Sequence, residues 1–199
     1  MTKAIVGSTL IDGTGRDPLS DSMVLIQDDR ILEVGTMDEV KIPDDAEVIK
    51  GEGRWLLPGL VDLHVHIFTS GFVPMNPKGS YIGYAGMLAA RNLRVALQAG
   101  VTTVRGVSDR DRLDLAMRDA VERGLLMGSR VFGAGRGICM TGGHGSGTAG
   151  VMHEVDGPWA VRKAVREEVK AGVDLIKLLS SHRTDNREFT QEEIDAGVE

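Results

Sequence analysis

A chain of 199 residues, 26% charged and 42% hydrophobic, has the composition of a soluble globular protein with enough apolar material for a core. Its formal charge of -6 is spread over interspersed acids and bases with no basic run. That excludes an electrostatic footprint for nucleic acid or an anionic membrane and leaves small, locally recognised ligands as the expected partners. A single cysteine, Cys139, excludes an internal disulfide and a multi-cysteine zinc site, and its default is an idle, buried thiol.

In chain order, MTKAIVGSTLIDG carries an apolar run that Gly, Ser and Thr break too early for a signal-peptide core. No later stretch is apolar over a membrane-spanning length, so the expected location is cytoplasmic. KAIVGSTLI, SMVLIQ, RILEVG and AEVIKG then read as short strands separated by the turn signals DGTG, DD and PDD, which predicts a small antiparallel β unit over residues 1–56. From residue 57 the pattern alternates. LVDLHVHIF, VTTVRGVS, SRVFGAG and VDLIKLLSS read as strands, and three segments of helical apolar spacing lie between them and end at Gly100, Gly124 and Gly172, good C-terminal caps. A fourth helix opens at TQEEIDAGVE, where Thr190 and Glu193 make a capping box. Such alternation predicts parallel strands covered by helices.

The first strand of this second part carries Asp62, His64 and His66 at alternate positions. Regular alternation puts these three on one face and Leu63, Val65 and Ile67 on the other, toward the helices. Two imidazoles about 7 Å apart along a strand can converge on one cation, and neutral imidazole is a good zinc ligand. The alternative is a pair of hydrogen-bonded core histidines. Lys177 sits between Leu175 and Leu179 on the face opposite Ile176 and Leu178, with Asp174 as its nearest acid. Burial of a lysine favours the neutral amine. Either Lys177 reaches solvent or a carboxylate, or its amine takes up carbon dioxide and the carbamate bridges two metal ions.

The motifs VLIQDDRILEVG, LLPGLVDLHVH, QAGVTTVRGV, TGGHG and GVDLIKLL, in this order, resemble the amidohydrolase superfamily, and within it the imidazolonepropionase-like and Xaa-Pro-dipeptidase-like branch. The resemblance implies an α/β fold: the N-terminal part of a metal-dependent (β/α)8 TIM barrel over residues 57–199, preceded by an N-terminal β-sandwich portion over 1–56. It implies that His64 and His66 bind a first divalent metal, zinc, and that carboxylated Lys177 bridges to a second. It makes His144, in TGGHG, a catalytic-site residue that contacts substrate. Barrel enzymes place such residues at the C-terminal ends of their strands. The further histidines and the aspartate that the family uses have no counterpart among the four visible strands, and His182 lies too close to Lys177 to be one of them. The chain is therefore expected to be the first half of the barrel, needing the missing C-terminal half, with an open strand edge that favours homo-oligomers. Close relatives often carry Asp at the place of Gly106, which puts a hydrogen bond near the second strand in doubt.

GAGRGICMTGGHGSGTAG contains a formal G-x-G-x-x-G at Gly145, Gly147 and Gly150, but VMHEVDGP separates it from the next helix and no Walker lysine follows. A mobile loop over the substrate is the expectation. Arg105 and Arg136 are candidates to bind a substrate carboxylate or to form structural ion pairs, whereas surface or capping roles are expected of His153 and His182. The expected activity is metal-dependent hydrolysis of a C–N bond in a peptide, N-acyl amino acid or cyclic amide. The competing class is a non-catalytic scaffold or pseudoenzyme half of the same fold.

Overall fold

The structure, a computed structural model, describes residues 1–69, 81–148, 150–183 and 186–199, with the side chains of 181–186 left out of the description. The chain divides into two compact units, Met1–Pro58 and Gly59–Glu199.

The first unit is one five-stranded sheet. β1 (Thr2–Leu10), β2 (Leu19–Gln27) and β3 (Arg30–Thr36) pair antiparallel in sequence, while β4 (Glu47–Lys50) and β5 (Trp55–Leu56) pair with the other edge of β1, both parallel to it. The sheet is therefore mixed where an antiparallel one was expected. The segment after β3 explains it. Val40 is buried, with Ile42 and Ala46 beside it, against Ala4, Val6, Met23 and Leu25, so the chain crosses the sheet face and returns in the direction of β1. Strand alternation in β1 buries Ala4, Val6, Ser8 and Leu10, and the Ser8 hydroxyl is satisfied by that of Ser22 at 2.9 Å.

The second unit is built from parallel strands and helices. β6 (Leu60–Val65), β7 (Val101–Gly106) and β8 (Arg130–Gly133) form a parallel sheet in that order. α1 (Ile82–Gln98) joins β6 to β7, and α2 (Leu113–Glu122) joins β7 to β8. α1 buries Ala85, Ala89 and Leu93, a stripe of period four, in a core with Ile67, Phe68, Val104, Leu113 and Val131. After β8 come β9 (Gly137–Cys139) and β10 (Met152–Glu154), a parallel pair, then α3 (Pro158–Ala171). β11 (Ser181–Arg183) pairs with β12 (Asn186–Arg187), and α4 (Gln191–Val198) follows. The three glycines read as helix stops all have positive φ, 88° at Gly100, 68° at Gly124 and 88° at Gly172. The Thr190 and Glu193 capping box is formed on both sides.

The fourth expected strand is shorter than its sequence suggests. Residues 174–179 join the sheet through one parallel bridge, Ile138 to Leu178, with the Ile138 amide donating to the Lys177 carbonyl and the Leu179 amide to the Ile138 carbonyl, both at 2.9 Å. A third bond, from the Asp174 amide to the Gly133 carbonyl, is also 2.9 Å. The neighbouring strand is interrupted between β8 and β9, where Gly135 turns left-handed at φ 64°, so continuous pairing has no partner there. Ile176 and Leu178 pack with Ile138, Val161, Ala164 and Phe189 beneath α3 and α4. The unit is mixed α/β, with parallel strands and covering helices consistent with part of a TIM barrel. No helix among the described residues is long and apolar enough to cross a membrane.

Candidate active site

His64 lies near the C-terminal end of β6, and His66 follows one residue beyond it. The pairing register of β6 against β7 shifts between Asp62 and Val65. This shift breaks the alternation expected of the strand: Val65 and Ile67 go to the helix-side core, but Leu63 stays 56% exposed and shares a hollow with Val61, Thr103, Arg105 and Phe132. Asp62 does not join the histidines, because its carboxylate accepts the His64 amide at 3.1 Å. Beyond His66 the chain is fixed from two sides. Ile67 and Phe68 are buried, and Asn92 of α1 donates to the carbonyls of Ile67 at 2.9 Å and Thr69 at 2.5 Å.

The two imidazoles meet edge to face, with ring centroids 5.7 Å apart and planes at 74°. His66 Nδ1 lies 3.0 Å from the Ser108 carbonyl oxygen. A carbonyl can only accept, so Nδ1 carries a proton, and in the neutral ring the lone pair is on Nε2, the arrangement in which a backbone carbonyl orients a metal-binding histidine. Ser108 pays for this placement with a φ of 97°, and its hydroxyl is buried without a hydrogen bond among the described residues. Partial removal from water, then the nearby charges of Lys177, His66 and Arg105, push the His64 imidazole below its ordinary pKa, with Asp62 opposing. The His64 ring thus favours the neutral form, which can donate a lone pair.

His64, His66, Ser108, His144 and Lys177 line one cavity of about 420 Å³ at the C-terminal ends of the parallel strands. The four residues read as metal ligands or substrate contacts, His64, His66, His144 and Lys177, therefore line one cavity. Among the described residues no third His, Cys, Asp or Glu gathers with the two histidines to complete a metal-binding group. Two imidazoles, one oriented by a carbonyl, with Lys177 lining the same cavity, fit the donor chemistry of a divalent metal in part, and further ligands would have to come from outside this set.

Three other candidates fall elsewhere. Arg105 donates to the Leu63 carbonyl at 2.6 Å, and Arg136 donates to the Met152 carbonyl at 2.5 Å, so both serve the backbone. His153 is only 12% exposed, and its Nε2 lies 2.6 Å from Glu168, against the surface or capping role expected of it. Glu168 is wholly buried and also takes a two-pronged bond from Arg112, at 2.9 and 2.8 Å. Burial opposes its ionisation, but the bonds from Arg112 and His153 prevail and hold the Glu168 carboxyl below its ordinary pKa. The side chain of His182 lies outside the described residues. Cys139 is buried, and burial followed by the acids Glu154, Glu188 and Asp156 pushes its thiol up to about 11, leaving it inert as expected.

The sequence pattern gave no sign of Asp109. Gly106 has no room for a side chain, since a Cβ there would come within 2.8 Å of Asp109 Oδ2, and this buried carboxyl fills the space beside the second strand's end. Burial and then the neighbouring Asp114 raise its pKa well above the ordinary range, while the amides of Phe68 and Ile67 pull weakly the other way without closing a good hydrogen bond.

Comparison with known proteins gives three findings. Residues 55–196 match the amidohydrolase family. The chain is 30% identical to ochratoxinase of Aspergillus niger over 225 residues, 94% of this chain and 44% of that protein, and 36% identical over 61 residues to imidazolonepropionase of Stenotrophomonas maltophilia, 31% of this chain and 15% of that one. The crystal structure of a Xaa-Pro dipeptidase with methionine bound in its active site superposes with a TM-score of 0.85 at 30% identity, covering 100% of this chain and 53% of that chain. The chain spans about half the length of these long-matching relatives.

Proposed function

The chain belongs to the amidohydrolase family, and from that premise we propose that the protein carrying it hydrolyses a C–N bond in a small peptide, N-acyl amino acid or cyclic amide, with dipeptide-like substrates first among them. The observation that carries this reading is the convergence of His64, His66, His144 and Lys177 on one cavity at the strand ends. The family usually binds divalent metals. In our reading His64 and His66 would hold the first of two zinc ions, and Lys177 would be a ligand shared with the second once its amine has added to carbon dioxide, an N–C bond forming as one C=O π bond opens and the amine gives up one proton. When bound, such ions supply Lewis-acid polarisation of the scissile carbonyl and make a water acidic enough to ionise near neutral pH.

The protein's own part is to hold these groups ready. The Ser108 carbonyl keeps His66 in one tautomer, and Asn92 keeps the chain beyond it from drifting. His144, from the loop after β9, lines the same cavity, which supports its reading as a substrate contact. The remaining ligands and the proton-shuttling aspartate belong, on this reading, to the other half of the barrel, with which this half must be combined, and the protein associates as a homo-oligomer.

A non-catalytic scaffold or pseudoenzyme half of the same fold is the competing reading, in which the polar groups lining the cavity are a remnant. The two separate in one experiment on the intact protein. Catalysis predicts that a chelator abolishes dipeptide hydrolysis and zinc restores it. It also predicts that Lys177→Ala is inactive by at least about a hundredfold, since ligand loss should exceed the effect of losing an outer partner, and partly recovers with added short carboxylic acids. Hydrolysis by Lys177→Ala without any additive would remove the bridge, and no hydrolysis by the intact metal-loaded protein would leave the scaffold.

A further inference from the structure

The glycine-rich loop after β9, expected to be a mobile cover, is held at three points. Asp156 accepts the Thr141 amide at 3.2 Å and its hydroxyl at 2.6 Å. Glu154 accepts the amides of Gly142 at 3.3 Å and Gly147 at 2.9 Å. Glu188 accepts the amide of His144 itself, at 2.9 Å. The first two acids belong to the loop's own return limb, at β10 and just after it, so they move with it. Glu188 comes from 44 residues further along the chain, between β12 and α4.

We propose that Glu188 is a positioning residue for the active site, fixing His144 through its backbone amide; this rests on the reading of His144 as a substrate contact. Several features single it out. Glu188 is 6% exposed, and its second oxygen, Oε1, makes no hydrogen bond among the described residues. A buried carboxylate that holds a single amide costs stability, which points to a functional constraint rather than to packing. Its own backbone is anchored on both sides: its amide donates to the carbonyl of Ser180, a residue of the cavity wall, at 3.1 Å, and the next residue, Phe189, is 1% exposed in the α3/α4 core. The loop is also tight here: a Cβ at Gly143 would stand 2.7 Å from Glu188 Oε2 and 2.8 Å from Met140 Cγ, so the residue beside His144 must lack a side chain for the loop to close against Glu188. Glu188 thereby ties the loop bearing His144 to the strand segment bearing Lys177.

The test is made on the intact protein with Glu188→Ala and Glu188→Gln, reading amide hydrogen exchange at His144 and steady-state hydrolysis of a dipeptide. Loss of one buried bond predicts about tenfold faster exchange at His144 in Glu188→Ala, with exchange in α1 unchanged, and about a tenfold rise in KM with kcat within about twofold. Glu188→Gln keeps an acceptor oxygen and should restore most of the loss. Unchanged His144 exchange in Glu188→Ala overturns the proposal, as does a fall in kcat at constant KM. Should the intact protein hydrolyse no dipeptide, the functional reading falls alone, and the exchange result still decides the role of Glu188.

Discussion

His66 and His153 both set a ring nitrogen against an oxygen, and the difference between their surroundings separates a reserved group from a structural one. His153 meets a wholly buried carboxylate, Glu168, whose other bonds come from Arg112 and the Arg136 amide. The partners of that carboxylate come from within the chain. Among the described residues His66 meets a carbonyl, with a second histidine 5.7 Å away and Lys177 lining the same cavity, and no acid gathers with them. A charged or polar cluster completed from within contributes to stability. One left incomplete at the mouth of parallel strands is available to a ligand.

Four perturbations break or sharpen this contrast. The largest loss of stability should come from Glu168→Ala, which strips the carboxylate from Arg112 and His153. About 2–3 kcal/mol is expected, less than for a fully buried pair because the Arg112 side chain keeps 32% exposure, and denaturant unfolding should show it with metal content unchanged. The same carboxyl gives the pH dependence its sign. Its folded pKa is lowered, so its contribution is present above the ordinary glutamate value and is lost as the pH falls through the folded value; the gap between the parent and Glu168→Gln should close on acidification. His153→Ala should cost about 1–2 kcal/mol, again without effect on metal.

Asp109→Asn should act in the opposite direction and by less. Because burial raises the pKa of Asp109, the parent loses stability as the pH rises through the ordinary aspartate value and above it. The variant should therefore melt higher at neutral pH, and the advantage should vanish below that value. A lower melting temperature for Asp109→Asn at neutral pH would mean that the carboxylate has a partner the buried geometry does not reveal.

Much of the second unit was legible in the sequence because its signals are local. Helix stops at Gly100, Gly124 and Gly172, the Thr190 cap and the spacing of His64 and His66 each depend on neighbours within a turn or a strand. Lys177 stands out as a lysine within an apolar strand and the resemblance adds His144; both line one cavity with the histidines. What was not legible depends on distant pairing. The register shift that turns Leu63 away from the core is set by β7, and the parallel return of β4 by the packing of Val40 across the sheet. The bond from Arg112 to Glu168 spans 56 residues and that from His144 to Glu188 spans 44, separations at which single-sequence periodicity carries no information. The same limit hid the role of Asp109, which looks in sequence like one acid among many beside Arg110 and Asp111.

The claim on which the rest depends is that His64 and His66 are held for a divalent metal. It is tested most directly by elemental analysis of the intact protein and of His64→Ala and His66→Ala after dialysis against a weak chelator and reloading with zinc, with His153→Ala as the control. The account predicts that each of the two strand-end variants retains its fold but loses most of its bound metal, a fall in affinity of more than about a hundredfold, while His153→Ala keeps the parent's content. Near-parent metal in both His64→Ala and His66→Ala would contradict it.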